Sequence, residues 1–424
     1  MGTFYQETID PAPCFAPLTS PAETTIAIIG AGFAGLGTAM SLVERGHSDI
    51  VLLEAEVIGH GASGRNGGFV SGGFSVDAAS LTRQLGHEAA RDLYLSSEAA
   101  VQRIRDRIAA HDIDCDRVDG GVIVASWFDE DRSLLELQQF MRESFGLHWH
   151  WLPREELREL LRTERYYAGL HEQGAFHFNP LKYAHGLARV LRARGVRIHE
   201  HSRVRQLDRH GAGWRVRTGV AELRCRDLVI CCGGYIDGLC PPLARASLPI
   251  ATYVMATEPL GDRLKDAMRT TAAVFDTRFA FDYYRPLPDT RLLWGGRMSV
   301  RERSEADLAR LLYADLLRVY PQLRGVKVTH AWSGLMSYAR HSMPQIGRLP
   351  DGLWHAIGFG GHGVAPTTLG GEVLAQAMTG EAPVPPELGA YGLEPTYGRL
   401  GLAAAQLTYW ALQARDAMLE WRHA

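Results

Sequence analysis

An α/β fold is predicted from three features of the chain. A short β-branched run, Thr24 to Ile29, leads directly into a glycine turn. Two further glycine-rich turns stand at the ends of strand-like runs, at Gly233-Gly234 and at Gly358 to Gly363. The span Leu248 to Val300 alternates apolar and polar residues in the manner of a sheet.

The first feature carries the most chemistry. Thr24 to Ile29 reads as a strand buried on both faces. The turn Gly30-Ala31-Gly32-Phe33-Ala34-Gly35 opens Leu36 to Arg45, where Leu36, Ala39, Met40 and Val43 share one helical face and Gly46 ends the helix. A second strand, Ile50 to Leu53, finishes at Glu54. Strand, glycine turn, helix, strand and acid make a Rossmann-like βαβ unit of about thirty residues. Gly30 permits the tight turn, Gly32 lets backbone approach a pyrophosphate, and Gly35 lets the helix lie close on the strand. The helix N-terminus offers unpaired N–H groups to phosphates. Glu54 can accept both hydroxyl hydrogens of an adenosine ribose and would repel a 2′-phosphate. Phe33 and Ala34 within the turn, and Ala55 after the acid, join the candidate cofactor contacts.

The loop Ile58 to Phe69 is too glycine-rich for a helix or strand interior and can wrap a ligand closely. Helical periodicity returns at His87 to Ala110 and Asp129 to Phe145, with a strand at Gly121 to Ser126, and suggests a separate lobe. Beyond it lie a helix at Leu181 to Arg194 and strands at Val196 to Glu200, Trp214 to Thr218 and Asp227 to Cys232. Leu353 to Val364 repeats the strand and glycine turn and opens a helix from about Pro366 to Thr379. Three such turns converging on one dinucleotide require a domain assembled from distant segments.

Composition narrows the class. The chain has 424 residues, 46% apolar and 22% charged, with net charge −3, so disorder and small disulfide scaffolds are excluded. Only Lys182, Lys265 and Lys327 among 45 basic residues are lysines, and no basic run accumulates, which argues against nucleic-acid binding. The six cysteines lack paired C-x-x-C spacing, so free thiols and no metal site are expected. The first twenty residues mix acids and prolines without a leader pattern, and a cytoplasmic protein with no membrane span is expected.

The trio GAGFAG with its acid, GHGASGRNGG, and GFGGHGVAP before a helix resembles the D-amino-acid-oxidase-like superfamily of FAD enzymes. The likeness extends over CCGGY, YVMATEPL, DYYRPLPDTRLLWGG and MPQIGRL. It implies a discontinuous FAD-binding domain (20–80, 175–240, 330–385), an α+β substrate domain with an antiparallel sheet (81–174, 241–329), and a helical tail (386–424). It further implies oxidation of a C–N bond to an imine, hydrolysis of the imine, and reduction of molecular oxygen to peroxide. By the same resemblance Gly30, Gly32 and Gly35 would face the pyrophosphate, and Glu54 the ribose. Gly61, Ala62, Ser63, Arg65, Asn66, Gly67 and Gly68 would run beside the phosphates and isoalloxazine. Val204, Cys232 and Gly233 would lie near the adenine, and Gly361, His362, Gly363 and Val364 at the pyrimidine end of the flavin. Some relatives attach flavin to a cysteine; the matching position is near Gly334, which has no thiol, so non-covalent FAD is expected. Sarcosine-oxidase-type relatives carry an oxygen-assisting lysine where this chain has about Leu293.

A hydride leaving a carbon beside nitrogen needs a neutral amine, which an apolar pocket favours by desolvating the cation. Tyr253, Tyr283, Tyr284, Arg285 and Trp332 are the pocket candidates, against a plain role in a strand core. Arg285 would either clamp a substrate carboxylate or form a surface salt bridge, and His362 would donate to flavin or substrate, or hydrogen-bond backbone. The tail from Leu402 to Leu419 reads as an amphipathic helix, with Leu402, Ala405, Leu407, Trp410, Leu412 and Met418 packing on its own domain or on a second copy in a homo-oligomer, against the alternative of peripheral membrane binding. An amine oxidase is the leading reading. An amine dehydrogenase using a quinone or carrier protein, and a non-catalytic flavoprotein, share the same motifs.

Overall fold

The computed structural model describes residues 2–9, 14–300 and 303–423, with the side chains of 422 and 423 excepted. Met1 and residues 10–13, part of the opening stretch in which no leader is expected, lie outside the described residues.

Two eight-stranded sheets organise the chain. The first runs in space Gln345–Arg348, Trp354–Ile357, Glu222–Ile230, Ala22–Ile29, Ile50–Leu53, Arg197–His199, with Gly213–Arg217 and Gln206–His210 added as antiparallel extensions. Its four inner pairings are parallel. Ile26 to Ile29 and Ile50 to Leu53 are all buried, as parallel strands covered on both faces require. Register sets Ile29 opposite Leu53, so the first glycine turn and Glu54 emerge side by side at the same sheet edge. The helices Phe33–Glu44 and Val364–Thr379 pack together there, and the backbone of Gly37 and Gly371 meets so closely that a Cβ on Gly371 would stand 2.5 Å from the Gly37 carbonyl carbon.

The second sheet runs Val328–Tyr338, Leu248–Thr257, Leu292–Ser299, Asp282–Pro286, Ala273–Asp276, Val122–Ala125, Gly169–Glu172, His150–Leu152. Its pairings are antiparallel except that of Ala273–Asp276 with Val122–Ala125. Tyr284, Trp294 and Tyr320 form the centre of its core. Residues 330–338 pair along Leu248–Thr257 in this sheet, and Ala331 is buried in its core.

The helix after the first turn starts at Phe33, three residues earlier than its apolar face predicts, because Gly32 caps it and the Ser63 hydroxyl accepts the Phe33 N–H at 2.8 Å. The helix Glu305–Val319, not anticipated, has a readable start: Ser304 accepts from the Asp307 N–H. The tail forms the helix Arg399–His423 against the second sheet. Its buried stripe differs from the predicted one. Tyr409 and Asp416 point inward, whereas Leu407, Trp410 and Met418 are exposed. The Asp416 carboxylate accepts the N–H groups of Phe279 and Ala280, and this contact chooses the face. Among the described residues no helix is long and apolar enough to cross a membrane.

Candidate active site

A cavity of about 1130 Å³ opens between the two sheets. That exceeds what one small ligand needs and leaves room for a dinucleotide beside a substrate. Its first wall is the βαβ edge: Gly30, Gly32, Phe33, Ala34, Glu54 and Ala55 all line it. Gly30 has φ +102°, and a Cβ on it would stand 2.8 Å from the Cys231 carbonyl oxygen, so glycine is required here for both backbone and space. Gly35 does not line the cavity; a Cβ there would strike the Gly30 carbonyl, and its role is close helix packing. Glu54 Oε2 accepts the Ala31 N–H at 2.8 Å and Oε1 the Glu56 N–H at 3.0 Å. Burial raises its carboxyl above the usual range, against the pull of these N–H groups.

The second wall is the loop after the second strand. Gly61, Ala62, Ser63, Arg65, Asn66 and Gly67 line the cavity. Asn66 shapes its own loop, its amide donating to the Ala62 and Ser63 carbonyls and its Oδ1 accepting the Gly68 N–H at 2.7 Å. Gly68 stands behind the lining, where a Cβ would strike the Phe178 carbonyl. Val204, Cys232 and Gly233 close the side nearest Glu54. Gly334 lines the opposite side, and a Cβ on it would come within 3.1 Å of the Arg65 Cβ.

The third wall is Gly361, His362, Gly363 and Val364, from which the helix Val364–Thr379 starts with its N-terminus toward the cavity. The His362 ring donates from Nε2 to the Ser71 carbonyl at 3.3 Å, and burial lowers its pKa, so the imidazole is held neutral.

The remaining wall is an aromatic chamber of Tyr94, Met141, Trp149, Phe275, Phe281, Tyr283, Met298 and Tyr338. Four predicted pocket residues are absent from it and are corrected here. Tyr284 faces the other side of its strand, stacked on Trp294 at 4.3 Å with its hydroxyl among Tyr166 and Tyr320. Tyr253 is buried in the same core. Trp332 is buried and donates from Nε1 to the Arg65 carbonyl at 2.9 Å. Arg285 is 1% exposed and neither clamps a ligand nor forms a surface salt bridge. It donates to the carbonyls of Gly67 (2.5 Å) and Phe178 (2.8 Å), to the Tyr5 hydroxyl (3.2 Å) and to His177 Nδ1 (3.3 Å). Strand alternation decides this: Tyr283 looks into the chamber, and Tyr284 looks away.

Several lining residues escaped sequence reasoning. Arg278 and Arg297 reach the chamber but are already paired, Arg278 with Asp276 and Asp282 at 2.6 Å each and Arg297 with Asp315 at 2.6 Å. Tyr409 arrives from the tail, and Tyr94 and Met141 from the helical lobe. No motif marks these; only the i, i+2 alternation of the strand around Tyr283 was a usable signal. Arg340 and His341 lie outside the lining, and His341 Nδ1 accepts the Met343 N–H.

Comparison with known proteins agrees with this geometry. The family model described as FAD dependent oxidoreductase (DAO) matches residues 25–377. The chain is 34% identical to gamma-glutamylputrescine oxidoreductase of Escherichia coli K12 over 87% of its own length and 86% of the relative's. It is 32% identical to the probable oxidoreductase OrdL of Haemophilus influenzae over 87% and 85% of the two chains. Among solved structures, glycine oxidase from Geobacillus kaustophilus superposes with TM-score 0.75 at 20% identity, covering 88% of this chain and 99% of that one, which speaks for the fold. A cradle built from backbone, two helix N-termini aimed at one cavity and a buried acid beside the turn suit the cofactor that this family uses. The chain belongs to the FAD dependent oxidoreductase family (DAO), and is an oxidoreductase with FAD as its cofactor.

Proposed function

We propose that this enzyme oxidises a C–N bond of a primary or secondary amine, gamma-glutamylputrescine-like or amino-acid-like, to an imine, with molecular oxygen leaving as hydrogen peroxide. The carrying observation is the continuity of one cavity from the dinucleotide cradle into the aromatic chamber. When bound, FAD supplies the two-electron acceptor for the C–H bond beside nitrogen.

The chain's own groups do the rest. Gly30, Gly32, Phe33 and Ala34 leave room for the pyrophosphate at the helix N-terminus. Glu54 has lone pairs beyond those engaged by Ala31 and Glu56 with which to accept the ribose hydroxyls. Val204, Cys232 and Gly233 flank the adenosine half, and Ser63 to Gly67 the flavin half. The Val364–Thr379 N-terminus, with Gly361 to Gly363, faces the pyrimidine side, where its positive end favours negative charge. The apolar chamber strips water from the substrate ammonium and shifts it toward the neutral amine. Held neutral, His362 orients the Ser71 loop. The FAD is non-covalent in this reading. Gly334 has no thiol, and burial pushes the cavity-lining Cys231 thiol up to about 12 and Cys232 higher still, so neither is a ready nucleophile. The two sheets are proposed as the cores of a cofactor domain and a substrate domain.

The test is anaerobic mixing of the yellow holoprotein with omega-amino and secondary amines. Loss of the flavin band, and peroxide formed in step with amine consumed in air, are the expected results. Dye reduction with little peroxide would assign a carrier or quinone acceptor instead, in keeping with Leu293 where relatives place lysine. Bleaching by NADH alone, or by no amine, would overturn the reading.

A further inference from the structure

The chamber ends in a feature that oxidation of a simple amine leaves unexplained. The helix His87–Ala110 sets Tyr94 and Glu98 one turn apart on one face, and the strand Gly169–Glu172 ends at the cavity wall. Glu172 lines the cavity at 8% exposure. Glu98 stands behind it, its carboxylate lying where a side chain on Gly72 would otherwise be. Glu98 Oε1 is buried with no hydrogen-bond partner among the described residues, and a hydrogen bond from the Gly72 backbone favours the charge of Glu172. Among the described residues no cation pairs with either carboxyl. Burial pushes Glu98 up to about 7, while burial and the neighbouring Glu98 raise Glu172 well above the carboxylate range. Tyr94, one turn from Glu98, lines the cavity together with Leu137, Met141 and Trp149.

A buried carboxyl and a half-buried one beside it, without a counter-ion, are costly unless a cation arrives to pair with them. Aromatic and thioether surfaces around them suit an ammonium carried on an alkyl chain. The reacting nitrogen is not that cation. A carboxylate beside it would stabilise the protonated amine, and hydride loss requires the neutral one. The π-helical turn Met141–Phe145, which brings Met141 to the wall, is a local irregularity of the kind that recurs at binding sites.

We propose that Glu172, backed by Glu98, binds a second ammonium group of the substrate, so that amines bearing a further cationic nitrogen are taken in preference to monoamines. The proposal rests on the amine-oxidation reading and adds the substrate's second group to it. On entry of that ammonium, the carboxyl pair gives up a proton to solvent and pairs as carboxylate with the cation.

The test compares 1,4-diaminobutane with butylamine, which have the same carbon chain, by anaerobic flavin bleaching of the holoenzyme. The wild type is expected to favour the diamine. Glu172→Gln is expected to raise the half-saturating diamine concentration for bleaching by about tenfold or more, the effect of losing a charge-assisted hydrogen bond, and to raise that for butylamine far less, so that the preference for the diamine falls. Glu98→Gln, behind the wall, is expected to act in the same direction, with FAD content and thermal unfolding of both variants matching the wild type. Equal losses for both amines, a shifted kcat–pH profile with butylamine, or a wild type indifferent to the second nitrogen would overturn the proposal. Should neither amine, nor any other, bleach the wild type, the underlying amine reading fails instead, and the proposal falls with it.

Discussion

Replacing Arg285 by methionine separates two views of that residue. Its guanidinium holds the carbonyls of Gly67 and Phe178, and with them the turn that leads from the flavin-side loop into Phe69–Val70. Methionine keeps much of the stem but has no donor. Two buried carbonyls then lose their partners, at about 1–3 kcal/mol each, for a total of about 2–6 kcal/mol. His177 Nδ1 also loses its donor; burial, the larger of the two causes that with the Arg285 charge hold this imidazole down to about 3, persists in the variant and still opposes protonation. Equilibrium urea unfolding at saturating FAD, followed by tryptophan fluorescence, measures the loss, and flavin release on dilution reports the loosened loop. Arg285→Lys is expected to fall between the two, because one ammonium cannot span both carbonyls and the Tyr5 hydroxyl. A loss below about 1 kcal/mol, joined to a raised KM confined to carboxylate-bearing amines, would refute this account and restore the clamp.

Gly32→Val is expected to yield colourless protein, because its Cβ would enter the pyrophosphate cradle and stand 2.9 Å from the Ser63 hydroxyl that caps the helix; full FAD occupancy by absorbance would contradict the assigned loop. His355, buried and donating from Nδ1 to the Gln345 carbonyl, has its pKa lowered to about 4 by burial. Its unfolded value is about 6.5, so its stabilising contribution is whole above that pH and is lost as pH falls toward 4, by about 3 kcal/mol in all. Unfolding free energy measured from pH 7 to 4 is therefore expected to fall less steeply in His355→Gln than in the wild type, and parallel curves would count against a neutral buried ring.

Local chemistry made the cofactor half of the site readable. Gly30, Gly32 and Glu54 answer to short-range demands: a positive φ, backbone approach and an acid at a strand end. All of these are written within about thirty residues, and the two distant glycine turns repeat the pattern. The helix His87–Ala110 was legible for the same reason, since one amphipathic face declares itself along the chain.

The substrate half was not legible in this way. Tyr283 and Tyr284 are adjacent in sequence and alike in chemistry, yet one lines the chamber and the other stacks on Trp294. Which face of a strand is the cavity depends on how eight strands from five stretches of chain pair, and a one-residue change of register would exchange the two. Glu98 and Glu172 likewise became neighbours only because a lobe helix lies beside the end of the strand Gly169–Glu172. The βαβ cradle, its glycines and its acid follow from the linear order of residues, because these are local steric and electrostatic requirements. The tertiary structure alone decided which aromatic residues face the cavity, that Arg285 serves backbone carbonyls, and where the uncountered carboxyls stand, because those depend on contacts between segments up to hundreds of residues apart.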